Sequence, residues 1–482
     1  MSTPIKLSVI GAGSAVFSLG LVRDICLTES LAGSQICLMD IDEERLEMIH
    51  KLAARYADQL GADLSFISTS DRQESLKDAD FVINTVSVVS HEESIARRKI
   101  GDKYGYYYGR VSTGEYGFRN MSFMMDVVHD MKEICPDAWL IQSGNPVKEG
   151  CTLMTRESDM KIIGLCHGHY GYHSICRAIG IDPAQVTWQA PGLNHNIWLT
   201  HFIYEGKDAY PLLDEWIETK AEEFWKNKEV SLPSKSPGEM TTPELRQALG
   251  QAWDIHMSRG AIHMYLMFGL MPIGDTPRGV GWWYHKDIES KHRWLGLPWG
   301  GQDSHLSWPL YVENLHRRLA EINDMANDPN ADLVKSLGKN KTREQQVPII
   351  DALVNNNEGQ FQVNVPNNGV LAGLPDNLVV EVPAIINQKG VQPYVAGSIP
   401  PKVMLYQIMP DWLRVERAIH AYKTGDRTML LWNVLDNHQT QSYDQATAAM
   451  NDILASKDNK SMDEYFEWPS GWHTPARGRR CW

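Results

Sequence analysis

A doubly wound α/β fold is predicted by three features of this sequence. A strand, a glycine turn and a helix opening follow one another at the N-terminus: Leu7-Ser8-Val9-Ile10, then Gly11-Ala12-Gly13-Ser14, then Phe17, Leu19, Leu21, Val22 and Ile25 at helical spacing. An acidic residue, Asp40, closes the next apolar run, Ile36-Cys37-Leu38-Met39. Short apolar runs then alternate with helical stretches as far as Leu165. That alternation is the pattern of a parallel sheet with right-handed crossovers.

The glycine turn has a chemical reading. Gly11 allows the tight turn, Gly13 lets backbone approach a pyrophosphate, and the helix N-terminus points unpaired N–H groups at the anion. The third glycine of the usual G-x-G-x-x-G fingerprint is here Val16. Gly11, Gly13, Ser14, Ala15, Val16 and Phe17 are the expected phosphate cradle. Asp40, roughly 20 residues further on, suits the ribose hydroxyls of NAD and repels a 2′-phosphate. The run Phe81 to Val86 ends in small polar residues, and Asn84 and Thr85 stand where the nicotinamide half would lie. The competing reading is a nucleotide-free turn with a solvated Asp40.

The remaining elements follow in order. Glu43 to Tyr56 has helical spacing through Leu46, Ile49, Leu52 and Ala53, and Asp63 to Ser68 reads as a strand. Leu76 to Ala79 is expected to be helical, as is charged Ser90 to Lys103. Tyr104 to Tyr116, rich in Gly and Tyr, is expected to be a loop, and Asn120 to Ile134 a helix. Ala138-Trp139-Leu140-Ile141 is a buried strand ending at Ser143-Gly144-Asn145-Pro146, and Lys161 to Leu165 is another, ending at Cys166-His167-Gly168-His169. Both place polar groups at the C-terminal ends of strands, where α/β sheets bind ligands.

The character changes after Pro191. Trp198 to Tyr204 alternates like an antiparallel strand, and Asp214 to Lys228 is an amphipathic helix. Trp and Met are dense from Trp253 to Trp308, and Lys335 to Gln346 reads as a solvated loop or short helix. Gly369 to Val382 resembles a hairpin turning at Pro375-Asp376-Asn377. Tyr406 to Ala421 and Thr440 to Ala455 read as helices, and the basic tail Gly478 to Trp482 as a loose end.

Bulk properties narrow the function. The 482 residues are comfortable for two domains, and 46 basic against 60 acidic residues give a net charge of −14 with no basic stripe. Nucleic acid and anionic membrane surfaces are poor partners for such a chain. Seven scattered cysteines with no CxxC pair favour free thiols in a reducing compartment. The N-terminus enters a strand at once, which argues against a signal peptide, and no apolar run approaches roughly 18 residues. A cytoplasmic setting is expected.

Cys166 closes a strand beside the expected nicotinamide, and His195 lies in Gly192-Leu193-Asn194-His195-Asn196. One thiolate and one imidazole, with positions left open for substrate oxygens, suit a divalent metal. A buried thiol and a turn donor are the ordinary alternative.

Taken together, GAGSAVFS, LMDIDEERL, FVINT, the Asn-Pro after a strand, CHGHYG, the Asn-His before Ile-Trp, and MPIGDTPR resemble glycoside hydrolase family 4, from Lys6 to near Ala455. CHGHYG and MPIGDT are most similar to its α-glucosidase branch. The resemblance implies NAD and a divalent metal, usually Mn2+. It implies oxidation at C3 of the sugar, with the metal gripping the C2 and C3 oxygens, then loss of the C2 proton to a protein base. Departure of the aglycone from C1, addition of water and return of the hydride follow, so there is no net redox.

Roles follow from the resemblance. Cys166 and His195 stand at the metal ligands. Asn145 stands at a sugar-hydroxyl contact, its ordinary role being a turn cap. Asn194 holds substrate or orients His195. Asp275, in Met271-Pro272-Ile273-Gly274-Asp275, matches the C2 base of the α-glucosidase branch; the phosphoglycosidase branches use a tyrosine. His167 either protonates the leaving oxygen or supports the ligand before it, and His169 packs. Arg119 is in register with an arginine that meets the sugar, although the loop around it departs in length from the α-glucosidase branch. Arg278 forms an ion pair or binds a hydroxyl, carboxylate or sulfonate. Trp282, Trp283 and Tyr284 stack on a sugar or fill core.

The architecture implied is a Rossmann NAD-binding domain over 1–196 and a substrate-binding and oligomerisation domain over 197–482. The second is of the mixed α/β kind found in lactate and malate dehydrogenases. A homodimer or homotetramer is expected by analogy. The expected activity is that of an α-glucosidase. Its rivals are the same chemistry on an α-glucuronide, α-galacturonide or sulfoquinovoside, a net NAD-dependent oxidoreductase, and a non-catalytic NAD sensor.

Overall fold

The apolar runs of the first third become six parallel strands. They are β1 (Lys6–Ile10), β2 (Ser34–Met39), β3 (Leu64–Thr69), β4 (Phe81–Asn84), β5 (Trp139–Gln142) and β6 (Lys161–Gly164), arranged β3-β2-β1-β4-β5-β6. This is the Rossmann order. The computed structural model describes residues 2–14, 17–107, 115–227, 235–252, 255–280, 286–295, 307–395 and 397–469. Pairing of Ile10 with Met39 and Asn84, of Asn84 with Gln142, and of Gln142 with Gly164 brings the strand ends into one line. Gly11, Asp40, Thr85, Ser143 and Leu165 therefore open a common crevice.

Helices close over the sheet for local reasons. In Glu43–Leu60 the apolar stripe Leu46, Ile49, Leu52, Ala53 and Tyr56 is buried. Its start is capped by the Asp42 carboxylate, which accepts from the Arg45 N–H, and Gly61 ends it in the left-handed region. His91–Lys103 begins with a reciprocal Ser90 and Glu93 capping box. Glu115–Ile134 packs against Val147–Glu157, where a side chain on Gly150 would strike the Met124 sulfur at 2.3 Å.

The sheet does not stop at β6. The later strands are β7 (Val186–Gln189), β8 (Gly192–Leu193), β9 (Asn196–Leu199), β10 (His201–Tyr204), β11 (Lys207–Asp208), β12 (Met271–Ile273), β13 (Gly359–Pro366), β14 (Val379–Asn387) and β15 (Gly390–Pro393). β13 adds antiparallel to β6, and β14, β8, β9 and β12 follow, giving a 12-stranded sheet with β15 on β14. A single row of pairs crosses this added half: Gly164 with Asn364, Asn364 with Glu381, Glu381 with Gly192, Gly192 with Ile197, and Ile197 with Ile273. The two expected parts, 1–196 and 197–482, share this sheet. β7, β10 and β11 form a separate three-stranded sheet.

Several elements differ from expectation. Trp198 to Tyr204 is two strands in two sheets, because the Thr200 N–H bonds to the Gln189 carbonyl (2.9 Å) and the chain changes partner there. Asp214 to Lys228 contains two helices, Tyr210–Thr219 and Ala221–Asn227, separated at Lys220 (φ −131). The short helix before β4 is Arg72–Leu76, capped by Asp71, and it ends at Leu76 where Leu76 to Ala79 was expected to be helical. The hairpin arms are β13 and β14, so Gly369 to Leu378 belongs to their connection. Asn367 braces that connection, donating to the carbonyls of Leu371 and Leu374 at 3.0 Å each.

Helix Arg427–Leu435 was not anticipated, and Glu115 and Tyr116, expected in a loop, open a helix. Ala15, Val16, Trp282, Trp283, Tyr284 and the tail Gly478 to Trp482 lie outside the described residues. Among the described residues no helix is long and apolar enough to cross a membrane.

The seam between β6 and β13 requires a residue without a side chain. A Cβ on Gly164 would lie 2.7 Å from Val147 Cγ1, 2.8 Å from Cys151 Sγ and 2.9 Å from Asn364 Cβ. Gly164→Ala should lower unfolding stability by about 1–3 kcal/mol, read as a lower denaturant midpoint.

Candidate active site

The glycine turn is tied into the sheet before it can meet a ligand. Gly11 and Ala12 donate to the Met39 carbonyl at 2.9 and 3.0 Å. Gly11 has φ +89, and a Cβ there would sit 2.8 Å from Thr85 Oγ1. Asp40 braces the turn: its Oδ2 accepts from the Gly13 N–H (2.7 Å) and its Oδ1 from the Asp42 N–H (3.0 Å). A Cβ on Gly13 would lie 2.9 Å from that same Oδ2, so glycine alone keeps the approach open. This cradle suits the pyrophosphate of a dinucleotide. Ser14 Oγ accepts from the Phe17 N–H (3.3 Å), and Thr85 Oγ1 donates toward the carbonyls of Ile10 and Gly11. Asn84 lies beneath the crevice, fully buried, donating to Gln142 Oε1 (2.9 Å) and accepting from the Val86 N–H (3.1 Å).

The ends of β5 and β6 form the floor of an open cleft, lined among others by Phe17, Asn145, Cys166, His167, Arg343 and Glu344. Arg343 and Glu344 were missed in the sequence, where Lys335 to Gln346 reads as solvated. They reach the cleft because the following helix, Gln346–Asn355, is anchored there: Gln346 Nε2 donates to Ser143 Oγ (3.1 Å) and to Glu344 Oε2 (3.4 Å). Glu344 Oε1 lies 3.5 Å from His167 Nδ1.

Beyond the cleft floor, three loops converge. β6 leads to Cys166. The two-residue turn between β8 and β9 carries Asn194 and His195, the latter at φ +63. β12 leads through Gly274 to Asp275. His195 Nε2 lies 3.2 Å from Asp275 Oδ2, and the Arg278 guanidinium lies 2.8 Å from the same oxygen. The Cys166 and Asp275 loops touch through glycines: a Cβ on Gly274 would lie 3.0 Å from Gly168 Cα.

Glu381 on β14 is a further residue at this site that the sequence reading missed. It is 1% exposed, and its Oε2 accepts from Asn194 Nδ2 (2.8 Å) and, more distantly, from Asn364 Nδ2 (3.5 Å). Burial pushes its carboxyl up to about 7 against the pull of the surrounding amides. Burial also pushes the Cys166 thiol up, helped by the nearby carboxylates of Glu381 and Asp275 and opposed by the Gly168 N–H and the Asn194 amide. His169, held down to about 3 by burial, bonds the Cys166 carbonyl through Nδ1 (3.2 Å) and stacks on Trp188, as a packing residue does.

A divalent cation fits this donor set. A thiol and two carboxyls crowd together, and Glu381 Oε1 is buried without a hydrogen-bond partner. A cation would relieve that crowding. Among the described residues no three His, Cys, Asp or Glu side chains group as a ligand cage, and Cys166 and His195 would be the cation's two protein donors.

The structure thus brings together Cys166, Asn194, His195, Asp275 and Arg278, with Asn145 and His167 in the adjoining cleft. Arg119 lines a different cleft, with Arg97 and Asn459, and its guanidinium donates to both Glu93 oxygens at 3.1 Å.

Residues 6–181 match the model described as Family 4 glycosyl hydrolase, and residues 190–440 match the Family 4 glycosyl hydrolase C-terminal domain. The chain is 26% identical over 466 residues to an alpha-galactosidase of Bacillus subtilis (strain 168), covering 94% of this chain and 96% of that one. It is 27% identical over 421 residues to an alpha-glucosidase of Erwinia rhapontici, covering 83% and 86%. A solved 6-phospho-alpha-glucosidase from gut microorganisms, in complex with NAD and Mn2+, shares the fold with a TM-score of 0.73 at 19% identity, over 95% of this chain and 99% of that one.

Gly274 has φ +65 and no room for a side chain against Gly168. Gly274→Ala should push the Cys166 and Asp275 loops apart. The expected outcome is a loss of activity on the order of 100-fold with little change in melting temperature.

Proposed function

We propose that this chain, which belongs to family 4 of the glycosyl hydrolases, is an NAD- and divalent-metal-dependent α-glycosidase that acts on an α-glucoside. The observation that carries the reading is the convergence of Asp275 on His195 beside Cys166, with the glycine cradle opening the same crevice. CHGHYG and MPIGDT support the α-glucoside preference, as does the Erwinia rhapontici relative. The reading keeps 1–196 as the NAD-binding part and 197–482 as a substrate-binding part that supplies Asp275 and Arg278, while Asn145, Cys166, His167 and His195 reach the substrate from the first part. A cytoplasmic homodimer or homotetramer goes with this reading by analogy.

When bound, NAD supplies a hydride acceptor for C3, and the cation, Mn2+ by analogy, supplies a Lewis acid for the sugar oxygens. Cys166 and His195 would hold the cation, and Gly11 and Gly13 the pyrophosphate. Asp275 takes the C2 proton, its carboxylate held in place by Arg278 and His195. His167, with a side chain 67% exposed in the cleft, delivers a proton to the leaving oxygen, and Glu344 steadies its ring. Asn145 meets a sugar hydroxyl across the same cleft.

One observation favours a second reading, the same chemistry on an acidic sugar. Arg119 and Arg278, the cations expected to meet such a sugar, each face a carboxylate, Glu93 and Asp275. Arg343 lines the Cys166 cleft and meets instead His173 Nδ1 (3.3 Å) and the Tyr170 ring (5.1 Å). It is the better-placed cation for a carboxylate or sulfonate on the sugar.

A nitrophenyl α-glucoside deuterated at C2, turned over in ordinary water with NAD, Mn2+ and reductant, should release sugar carrying hydrogen at C2. Hydrolysis with the deuterium fully retained would overturn the elimination route, and stoichiometric NADH would mark a net oxidoreductase. EDTA should abolish activity and Mn2+ restore it. Asp275→Asn should lower turnover about 100- to 10,000-fold while NAD binding persists. Comparison of nitrophenyl glucoside with its uronide and sulfo analogues decides the sugar: on the acidic reading Arg343→Met loses the charged substrate selectively, and on the neutral reading it leaves glucoside turnover nearly unchanged.

A further inference from the structure

A carboxyl group inside an α/β sheet needs a reason to be there. Around Glu381 β14 is an apolar run, Val379-Val380-Glu381-Val382, and its valines pack in the core. Glu381 has no cationic partner among the described residues. Its bonds go to the amides of Asn194 and Asn364, and one of its oxygens has no partner. A valine or leucine would fill this place at less cost, since burying an incompletely paired carboxyl is unfavourable.

The geometry supplies the reason. Asn194 is buried, next in sequence to His195, and adjoins the Cys166 sulfur. An Asn side chain can present either its oxygen or its nitrogen to a neighbour, and the choice is set by what it bonds. Glu381 Oε2 accepts from Asn194 Nδ2 at 2.8 Å, and this bond turns the nitrogen of Asn194 inward. The inward amide then presents hydrogens rather than a carbonyl oxygen on the Cys166 side. We infer that Glu381 is a positioning residue that fixes the orientation of Asn194, and through it the readiness of Cys166 and His195 to hold a divalent cation. It touches neither sugar nor cofactor. The inference rests on the metal reading above and extends it to a residue 187 positions from its hydrogen-bond partner.

The test is Glu381→Gln, which keeps the volume and removes the compulsion. The new amide can present either its oxygen or its N–H, so Asn194 is no longer held in one orientation and can turn its carbonyl toward the sulfur. Mn2+ affinity, measured by the electron paramagnetic resonance of free Mn2+, should fall about 10- to 100-fold. The thiolate-to-metal absorption of the Co2+-loaded protein should weaken in parallel, while NAD affinity and melting temperature stay near wild type. Mn2+ affinity within twofold of wild type, with the Co2+ band intact, overturns the inference and leaves the metal reading standing. A wild-type protein with no thiolate-to-Co2+ band overturns both. Asn194→Leu keeps the test available if Glu381→Gln does not fold: it should lose Mn2+ affinity to the same degree, and an unchanged affinity overturns the inference.

Discussion

Everything at the candidate site depends on one row of cross-strand pairs. Gly164, Asn364, Glu381, Gly192, Ile197 and Ile273 stand side by side across the sheet. Cys166 lies two residues beyond the first of them, His195 three beyond Gly192, and Asp275 two beyond the last. A slip of one residue anywhere in that row turns side chains to the opposite face and separates the thiol from the imidazole and the carboxylate. Glycines let the row close: at Gly192 a Cβ would lie 2.1 Å from the Asn196 carbonyl oxygen.

The row also explains why charge is tolerated so deep. The parallel half of the sheet also buries amides, Asn84 and Gln142, and pairs them with each other. The antiparallel extension carries amides and a carboxyl, Asn364, Gln362 and Glu381, where the core would otherwise be continuous. Gln362 is itself spent on the Ala190 carbonyl (2.8 Å) and on Gln345, which joins β13 to the segment bearing Arg343 and Glu344. The polar groups of the extension thus connect the cleft wall at Gln345 to the strands that lead to Asn194 and His195.

What the sequence disclosed follows from distance along the chain. The glycine turn, Asp40 and the strand ends were legible because strand, turn and helix are local and each leaves its own period. Cys166, His195 and Asp275 were legible because their short motifs resemble a known family. Their convergence was not, since β8, β9 and β12 meet only in the folded sheet. Glu381 was invisible: one acid in an apolar run has no local signature, and its partner Asn194 is remote. Arg343 and Glu344 lie in a charged stretch that looks like solvent-facing surface until Gln346 is seen bonded to Ser143. The hairpin was displaced because Leu371, Leu374 and Leu378, buried under the bonds of Asn367, imitate a strand.

The insertion of β13 and β14 between β6 and β8 has a consequence for biogenesis. The strand on which Cys166 depends leaves the ribosome about two hundred residues before its neighbour in the sheet, at translation rates of roughly 5–20 residues per second. For that interval β6 presents an unpaired, apolar edge, the kind of surface that recruits other strands. The nascent N-terminal half can build its nucleotide cradle early, from contacts already made. The loops bearing Cys166 and His195 cannot be joined until residues 359–387 emerge and fill the gap. The glycine turn and the loops bearing Cys166 and His195 are therefore assembled at different times, and the latter wait on a hairpin made roughly two hundred residues after β6.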